Sequence, residues 1–223
     1  MRPWSILGAL ATSLIAACGA GESTDGGTGA SGPTPMPSAE PEPPEQEAGT
    51  YVGPGCDVKT DGPREASVVV SVPRAQGGAT WETPENARTP DEAFARAALS
   101  DHAETDELRL SGFGFQIPEG ARVTGYEVQL VRRAPDGGVV DGQIKLVNDE
   151  RSSRYKYMST PWPSSIVGTH HYGQPIDTWD FELSPAEVNA ASFGVTFYAK
   201  RDQGAAGATA TVDSIRVKVG YCL

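Results

Sequence analysis

The chain has 223 residues, a formal net charge of −11 and much Gly (26) and Pro (18), which predicts one or two domains rich in turns. This acidic balance argues against nucleic acid as a partner, because such binding depends mostly on neutralised phosphates. It also removes any electrostatic attraction to an anionic lipid surface.

The amino terminus predicts an export signal. Arg2 precedes residues 6–17, which are apolar or small apart from two hydroxyl side chains. This stretch is too short for a membrane-spanning helix and has the length of a signal-peptide core. It ends in Leu14-Ile15-Ala16-Ala17-Cys18-Gly19.

This ending resembles the lipobox of bacterial lipoproteins. The resemblance implies cleavage before Cys18 and attachment of several acyl chains (palmitate among them), which together hold a protein firmly on a membrane. The alternative is an ordinary secretory signal that happens to contain a cysteine. Because Gly19 and not Asp follows Cys18, the resemblance favours the outer membrane of a diderm bacterium, on a face that the sequence does not specify.

Residues 18–55 predict a disordered tether behind the signal peptide at residues 1–17. Residues 19–55 contain no Lys or Arg and almost no large apolar side chain, so they cannot offset the entropy of ordering. The acidic side chains in this stretch are Glu22, Asp25, Glu40, Glu42, Glu45 and Glu47. Residues 56–223 then form the folded domain, which is long enough to bury a core.

Two cysteines remain for the domain, Cys56 at its start and Cys222 as the penultimate residue. Export brings them into an oxidising compartment, which favours a disulfide bond between them. The alternative is two independent thiols. There is no Cys-x-x-Cys motif and no Cys/His cluster in the sequence, which argues against a zinc or redox site.

From residue 66 onward the chain predicts β-strands separated by turn residues. Apolar alternation or Val enrichment marks the strands at 67–72, 108–115, 122–132, 139–147, 154–158, 193–200 and 208–221. Ser184-Pro185-Ala186-Glu187 has the form of a capping box and predicts one short helix at about 185–190. Residues 91–99 fit a helical turn or a strand. Many strands with no βαβ rhythm predict an all-β antiparallel sandwich.

Several runs in this region form a pattern that recurs in other proteins: 81–91, 108–128, 172–179, 189–195 and 210–221. Together they resemble a jelly-roll-like β-sandwich module of bacterial exported proteins and phage tail proteins. The closing Val212-Asp213-Ser214-Ile215-Arg216-Val217 also resembles the last strand of many carbohydrate-binding sandwiches. The resemblance implies a jelly-roll-like fold and a binding or structural role, and it carries over no catalytic residue.

The sequence shows no motif of an activated nucleophile, no His-Glu-x-x-His and no dinucleotide loop, so we predict a protein that is not an enzyme. Asp136 and Asp141 flank a Gly-rich turn, and Asp177 and Asp180 flank Trp179. Either pair could bind Ca²⁺ or serve a polysaccharide hydrolase as acid and base. Turn chemistry explains the same residues without a ligand, and no cofactor is predicted.

The aromatic residues Trp162, Tyr172 and Trp179 are candidates for a platform that stacks on sugar rings. Trp162 lies between Pro161 and Pro163, which makes it the one expected to be exposed. The competing interpretation puts Trp81 and Trp179 in the core. His170 and His171 should point to opposite faces of a strand end or loop, which argues against one shared metal ion. The acidic run at 101–107 predicts a solvated loop.

The sequence therefore predicts a membrane-anchored lipoprotein with a non-catalytic β-sandwich that binds glycan. The alternative is a structural or adhesion protein of the cell envelope that contacts other proteins.

Overall fold

The computed structural model describes residues 55–165 and 168–223. The predicted signal peptide, Cys18 and the tether lie outside the described residues. The strands are β1 Lys59–Glu65, β2 Val68–Val72, β3 Ala95–Ala98, β4 Glu107–Ser111, β5 Arg122–Arg133, β6 Val139–Asn148, β7 Arg151–Ser152, β8 Gly168–Gln174, β9 Gly194–Arg201 and β10 Thr209–Cys222. A 3₁₀ turn spans Pro84–Ala87, and the helix α1 spans Pro185–Asn189.

These strands form two antiparallel sheets of five strands each, as the all-β prediction requires. Sheet A has the order β1-β10-β5-β8, with β3 paired to β10 on the edge that β1 also uses. Sheet B has the order β2-β4-β9-β6-β7. If β2 and β3 are set aside, the other eight strands, numbered along the chain, run 1-8-3-6 in sheet A and 2-7-4-5 in sheet B. This is the strand order of a jelly roll, so the predicted fold class is confirmed.

The core lies between the two sheets and follows the alternation of the long strands. On β5 the inward set includes Tyr126, Val128 and Leu130, and on β10 it includes Ile215 and Val217. Successive side chains of a strand point to opposite faces, so each of these strands gives one apolar row to the core, while the opposite row, with Glu127 on β5 and Lys218 on β10, is only partly exposed. The alternation read from the sequence is confirmed for these strands.

The short helix α1 begins at the predicted capping box. Ser184 accepts a hydrogen bond from the Glu187 backbone N–H, and the Glu187 carboxylate accepts one from the Ser184 backbone N–H. Pro185 occupies the first turn, where its missing N–H costs nothing. The helix prediction is therefore confirmed. Of the two possibilities for residues 91–99, the strand is the observed one, as β3.

The two ends of the domain are joined by the predicted disulfide bond between Cys56 and Cys222. It connects the segment before β1 to the end of β10, across a sequence separation of 166 residues. A closed loop of that length stabilises the fold by about 4–5 kcal/mol in the chain-entropy description. The bond fastens β1, an edge strand, to the longest strand of sheet A.

Five strand segments differ from the sequence prediction. The strand predicted at 108–115 ends at Ser111 because Gly112 and Gly114 adopt the left-handed conformation, with φ of 72° and 65°. The predicted strand at 154–158 is reduced to one bridge, between Lys156 and Ile144. Strands β1, β7 and β8 are not indicated by the sequence. The reason is that most of their side chains are polar and at least partly exposed, so they lack an apolar row.

The acidic run at 101–107 is a solvated loop only in its first half. Residues 101–103 are exposed, but Thr105 and Asp106 are buried. Asp106 accepts hydrogen bonds from the Thr80 hydroxyl and the Arg74 backbone N–H. A carboxylate with such partners can be buried at tolerable cost, which the composition of the run does not reveal. Within the part of the chain that the structure describes, no helix has the length and apolar character needed to cross a membrane.

Candidate functional site

A buried ion pair links the two sheets. Arg132 follows Val128 and Leu130 on the inward row of β5, and Asp141 lies on β6 of the opposite sheet. Their charged groups are 3.2 Å apart (Nη2 to Oδ1), and the side chains are 0% and 1% exposed. Because unpaired charges are excluded from protein interiors, each of these residues depends on the other.

A bulge in β6 turns Asp141 inward. In the pairing with β9, Asp141 lies opposite Ala199 and Gln143 lies opposite Tyr198, so Gly142 is an extra residue. A bulge shifts the phase of a strand by one residue, and Asp141 therefore points into the core while Gln143 points to solvent. Gly142 is required here because a Cβ atom would lie 2.1 Å from the Tyr198 ring.

Two of the predicted ligand-binding aromatics complete this buried cluster. The Trp162 indole N–H donates to Asp141 Oδ1 at 2.8 Å, and the Tyr172 hydroxyl donates to Asp141 Oδ2 at 2.6 Å. The Arg132 guanidinium carbon lies 4.8 Å from the centre of the Trp162 ring. Burial first, and then the Asp141 charge, raise the pKa of Tyr172, so its phenol stays a hydrogen-bond donor.

The prediction that Trp162 is exposed is therefore wrong. Only 3% of it is accessible, because its indole has an acceptor in the core and stacks on Phe197 at a centroid distance of 6.0 Å. Tyr172 and Trp179 are buried as well, and the Trp179 indole N–H donates to the Tyr126 carbonyl at 2.9 Å. These three rings do not form a surface that a sugar could stack on. The core position proposed for Trp81 and Trp179 is confirmed.

The loop after β7 is fastened to this cluster and to β6. The backbone N–H of Met158 donates to Asp141 Oδ2 at 2.8 Å. Lys156 exchanges two backbone hydrogen bonds with Ile144, both of 2.9 Å, and the Trp162 N–H donates to the Val139 carbonyl at 2.8 Å. The loop is therefore extended where it pairs with β6, and these hydrogen bonds hold it beside the edge of sheet B.

Two exposed tyrosines project from this loop, on either side of Lys156. Tyr155 and Tyr157 are 48% and 56% exposed, and the structure singles them out among the few large hydrophobic residues at the described surface. Their ring centroids are 6.0 Å apart, and their planes differ by 34°. Because they are two residues apart on an extended segment, both rings point to the same side.

These rings form one wall of a groove of about 550 Å³ on the outer side of sheet B. It is also lined by the β6 bulge with Gln143, by Lys200 at the end of β9 and by Gln203 in the turn that follows. We call it the tyrosine groove. Its volume is within the range of small-molecule sites, and its two aromatic rings lie beside polar and charged side chains. A larger groove of about 660 Å³, beside Arg122 and Ser184, has no aromatic ring among the described residues that line it.

The four candidate calcium ligands are all occupied by protein donors. The Asp141 oxygens are used in the buried cluster, which contradicts its assignment to a metal ion. Asp177 Oδ2 is 2.8 Å from Lys156 Nζ, and Asp180 Oδ2 is 3.5 Å from Arg154 Nη1. The Asp136 carboxylate accepts from the Thr209 hydroxyl at 2.8 Å. Between residues 55 and 223, apart from the undescribed 166 and 167, no group of three or more His, Cys, Asp or Glu could hold a metal ion.

The two adjacent histidines lie on β8 and differ in their surroundings. His170 is half-buried, and its burial together with the Arg132 charge lowers its pKa. The exposed His171 points outward, with Nδ1 3.1 Å from Glu127 Oε1. The two side chains face opposite sides of the sheet, as the sequence predicts.

No known family model matches the chain, and no curated protein sequence matches it. The interpretation of the site therefore depends on its own residues.

The tyrosine groove was not identified from the sequence, although one signal was present. Tyr155 and Tyr157 alternate with Arg154 and Lys156 in a segment that the sequence predicts as a short strand. Aromatic residues in such an alternation must share one face. Their exposure depends on the bulge at Gly142 and on the loop anchors, which the local pattern does not show.

Proposed function

We propose that the chain is a membrane-anchored lipoprotein whose jelly-roll domain is a non-catalytic glycan-binding module. The supporting observation is the exposed ring pair of Tyr155 and Tyr157 beside polar side chains in the tyrosine groove. The apolar faces of sugars stack on aromatic rings, while amide and ammonium groups such as those of Gln143 and Lys200 bond to hydroxyls. The proposed sugar contacts are therefore the exposed rings of Tyr155 and Tyr157, in place of the buried rings of Trp162, Tyr172 and Trp179.

Rigid presentation supports the same proposal. An exposed ring on a mobile loop loses conformational freedom when it binds, and that loss weakens affinity. The segment with both tyrosines is instead held by the Lys156 and Met158 backbone hydrogen bonds described above. The rings are therefore positioned before any ligand arrives.

Replacement of Tyr157 by Ala tests the glycan-binding half of the proposal. The full-length chain, purified in detergent, is titrated with a panel of soluble oligosaccharides by calorimetry. Loss of one stacking ring should lower the affinity about tenfold, which corresponds to about 1.4 kcal/mol. The melting temperature should change little, because the side chain is more than half exposed.

His171→Ala is the matched control, since it removes an exposed ring from the outer side of sheet A. It should leave sugar affinity unchanged. Equal effects of the two variants, or no binding of any oligosaccharide to the unaltered chain, would contradict the glycan-binding assignment.

Replacement of Cys18 by Ala tests the lipid anchor. When cells are grown with a labelled fatty acid, the unaltered chain should incorporate the label and fractionate with membranes. The Cys18→Ala chain should incorporate none and lose its membrane association, because a single signal sequence without acyl chains gives no lasting anchor. Label retained by the variant would rule out Cys18 as the acceptor.

A second candidate function is contact with an envelope protein. The observation that favours it is strand β2, which forms an edge of sheet B and exposes Val68 and Val70 by 50% and 41%. An exposed apolar edge strand is a surface on which another chain can pair. If the glycan titrations are negative, β2 is the surface to test next.

A further inference from the structure

A second, smaller cavity meets the tyrosine groove at Tyr155. It has a volume of about 250 Å³ and is bounded by Arg154, Lys156 and the turn with Asp177 and Asp180. Tyr155 lines both spaces. Because Arg154 and Lys156 alternate with the two tyrosines, the second cavity lies on the other side of this extended segment. A ligand stacked on both rings therefore stays in the tyrosine groove.

The ring pair has the spacing of a linear array. On an extended segment, side chains on one face repeat about every 6.6 Å, and the centroids of Tyr155 and Tyr157 are 6.0 Å apart. Neighbouring sugar rings in an extended glycan have a comparable separation. Each tyrosine can therefore stack on one of two successive sugars, and a single sugar would use only half of the wall.

The charges around both cavities are balanced within the protein. Lys200 Nζ is 3.3 Å from Glu104 Oε1, and Lys156 and Arg154 are paired with Asp177 and Asp180. Arg201 donates to the backbone carbonyls of Leu99 and Ser100, and the acidic Asp202 lines the groove beside it. The charged residues that line the tyrosine groove are two basic, Lys200 and Arg201, and two acidic, Asp141 and Asp202. No excess of one charge is left to attract a sulfated or uronic-acid sugar. The side-chain amides of Gln143 and Gln203 remain suited to neutral hydroxyl groups.

From the ring spacing and the charge balance, we infer that the ligand is a neutral, linear glycan segment that lies across both tyrosine rings. This inference depends on the proposed glycan-binding function and adds two properties to it, chain length and absence of charge. A chain that covers both rings gains contacts when a second sugar is added, and further sugars add less.

The test uses the full-length chain in detergent and β-1,4-linked oligomers of glucose, xylose, mannose and N-acetylglucosamine, each with one to six sugars. Affinity for the preferred oligomer should rise about tenfold from one sugar to two or three and then level off. It should change less than about twofold between low and high salt, because screening acts on charge interactions. Tyr155→Ala should weaken the binding of every oligomer with two or more sugars.

A double variant, Arg154→Ala with Asp180→Ala, removes the exposed ion pair of the second cavity, whose side chains are 79% and 75% exposed. It should leave the affinity for every oligomer unchanged, because this pair lies on the other side of the segment from the two rings. A loss of affinity in this variant would overturn the placement of the ligand across the rings. Equal affinity for one sugar and for six would overturn the chain inference and leave the glycan function standing. Tight, salt-sensitive binding of uronic-acid or sulfated oligomers would overturn the neutral assignment. Failure of every oligomer to bind would overturn the proposed function itself.

Discussion

The outer sides of the two sheets differ in how far their polar side chains bond to one another. On sheet A, the Glu127 carboxylate accepts from Gln129 Nε2 at 2.8 Å and Lys218 Nζ at 3.2 Å and lies 3.1 Å from His171 Nδ1. Arg216 in turn donates to Gln129 Oε1 at 3.1 Å. These groups satisfy one another across three strands, so a ligand would have to displace existing bonds.

On sheet B, the tyrosine groove leaves two rings about half exposed beside side-chain amides. Its polar support includes the buried Arg132–Asp141 pair and the Lys200–Glu104 pair at the surface, while the side-chain amides of Gln143 and Gln203 line the groove beside the rings. A face whose polar groups bond mostly to one another contributes to stability, whereas a face with exposed rings beside side-chain amides offers contacts to a partner.

The largest expected effect comes from breaking the buried support. Asp141→Ala leaves the Arg132 guanidinium buried without its counterion and removes an acceptor from Trp162, Tyr172 and Met158. Loss of one partner of a buried pair costs about 3–5 kcal/mol. Urea unfolding should show a loss of that size, and a loss below about 1 kcal/mol would contradict the role of the pair.

A double variant separates stability from positioning in the same cluster. Arg132→Met with Asp141→Leu removes both charges and should recover part of the stability, since no unpaired charge is left in the core. It does not restore the acceptor for the Trp162, Tyr172 and Met158 donors, which keeps the variant less stable than the unaltered chain. Because the Met158 N–H holds the segment that carries Tyr157, sugar affinity should stay reduced even when part of the free energy of unfolding returns.

The long strands were predictable because burial and local pattern agree in them. On β5, β9 and β10, the apolar residues of the alternation in the sequence are the ones that are buried in the core. The helix cap and the disulfide bond could be predicted from the spacing of their residues in the sequence. Strand β1 was missed because it has Gly62-Pro63 in its middle and pairs through backbone groups at an edge. Strand β8 was missed because Tyr172 is its one buried side chain.

The site was harder to predict because it depends on contacts between residues far apart in the chain. The flanking prolines of Trp162 suggest exposure, yet its indole bonds to Asp141, 21 residues earlier. That bond needs the phase shift at Gly142, which the apolar pattern of β6 conceals. The same shift places Gln143 on the surface beside the tyrosines, so one bulge that the local pattern does not show affects both the buried cluster and the exposed groove.

The smallest expected effect concerns sheet A and depends on pH. Burial alone would raise the pKa of Glu127, but hydrogen bonds from Gln129, His171 and Lys218 outweigh it and hold that pKa below its ordinary value. A carboxyl with a lowered pKa in the folded state stabilises the protein above the unfolded-state pKa of about 4.3, and this contribution is lost as the pH falls through the folded-state pKa. Glu127→Gln should therefore cost about 0.5–1 kcal/mol near pH 7.

The cost should disappear in acid, where the unaltered side chain is also neutral. Melting temperatures measured across the pH range would show the two curves converging, from a separation of about 2–4 °C per kcal/mol at neutral pH. Glu119→Gln, at an exposed carboxylate, should give parallel curves. Sugar affinity should be unaffected by Glu127→Gln, because Glu127 lies on the outer side of sheet A. If Glu127→Gln weakened sugar binding as Tyr157→Ala is expected to do, the assignment of ligand binding to the outer side of sheet B alone would be wrong.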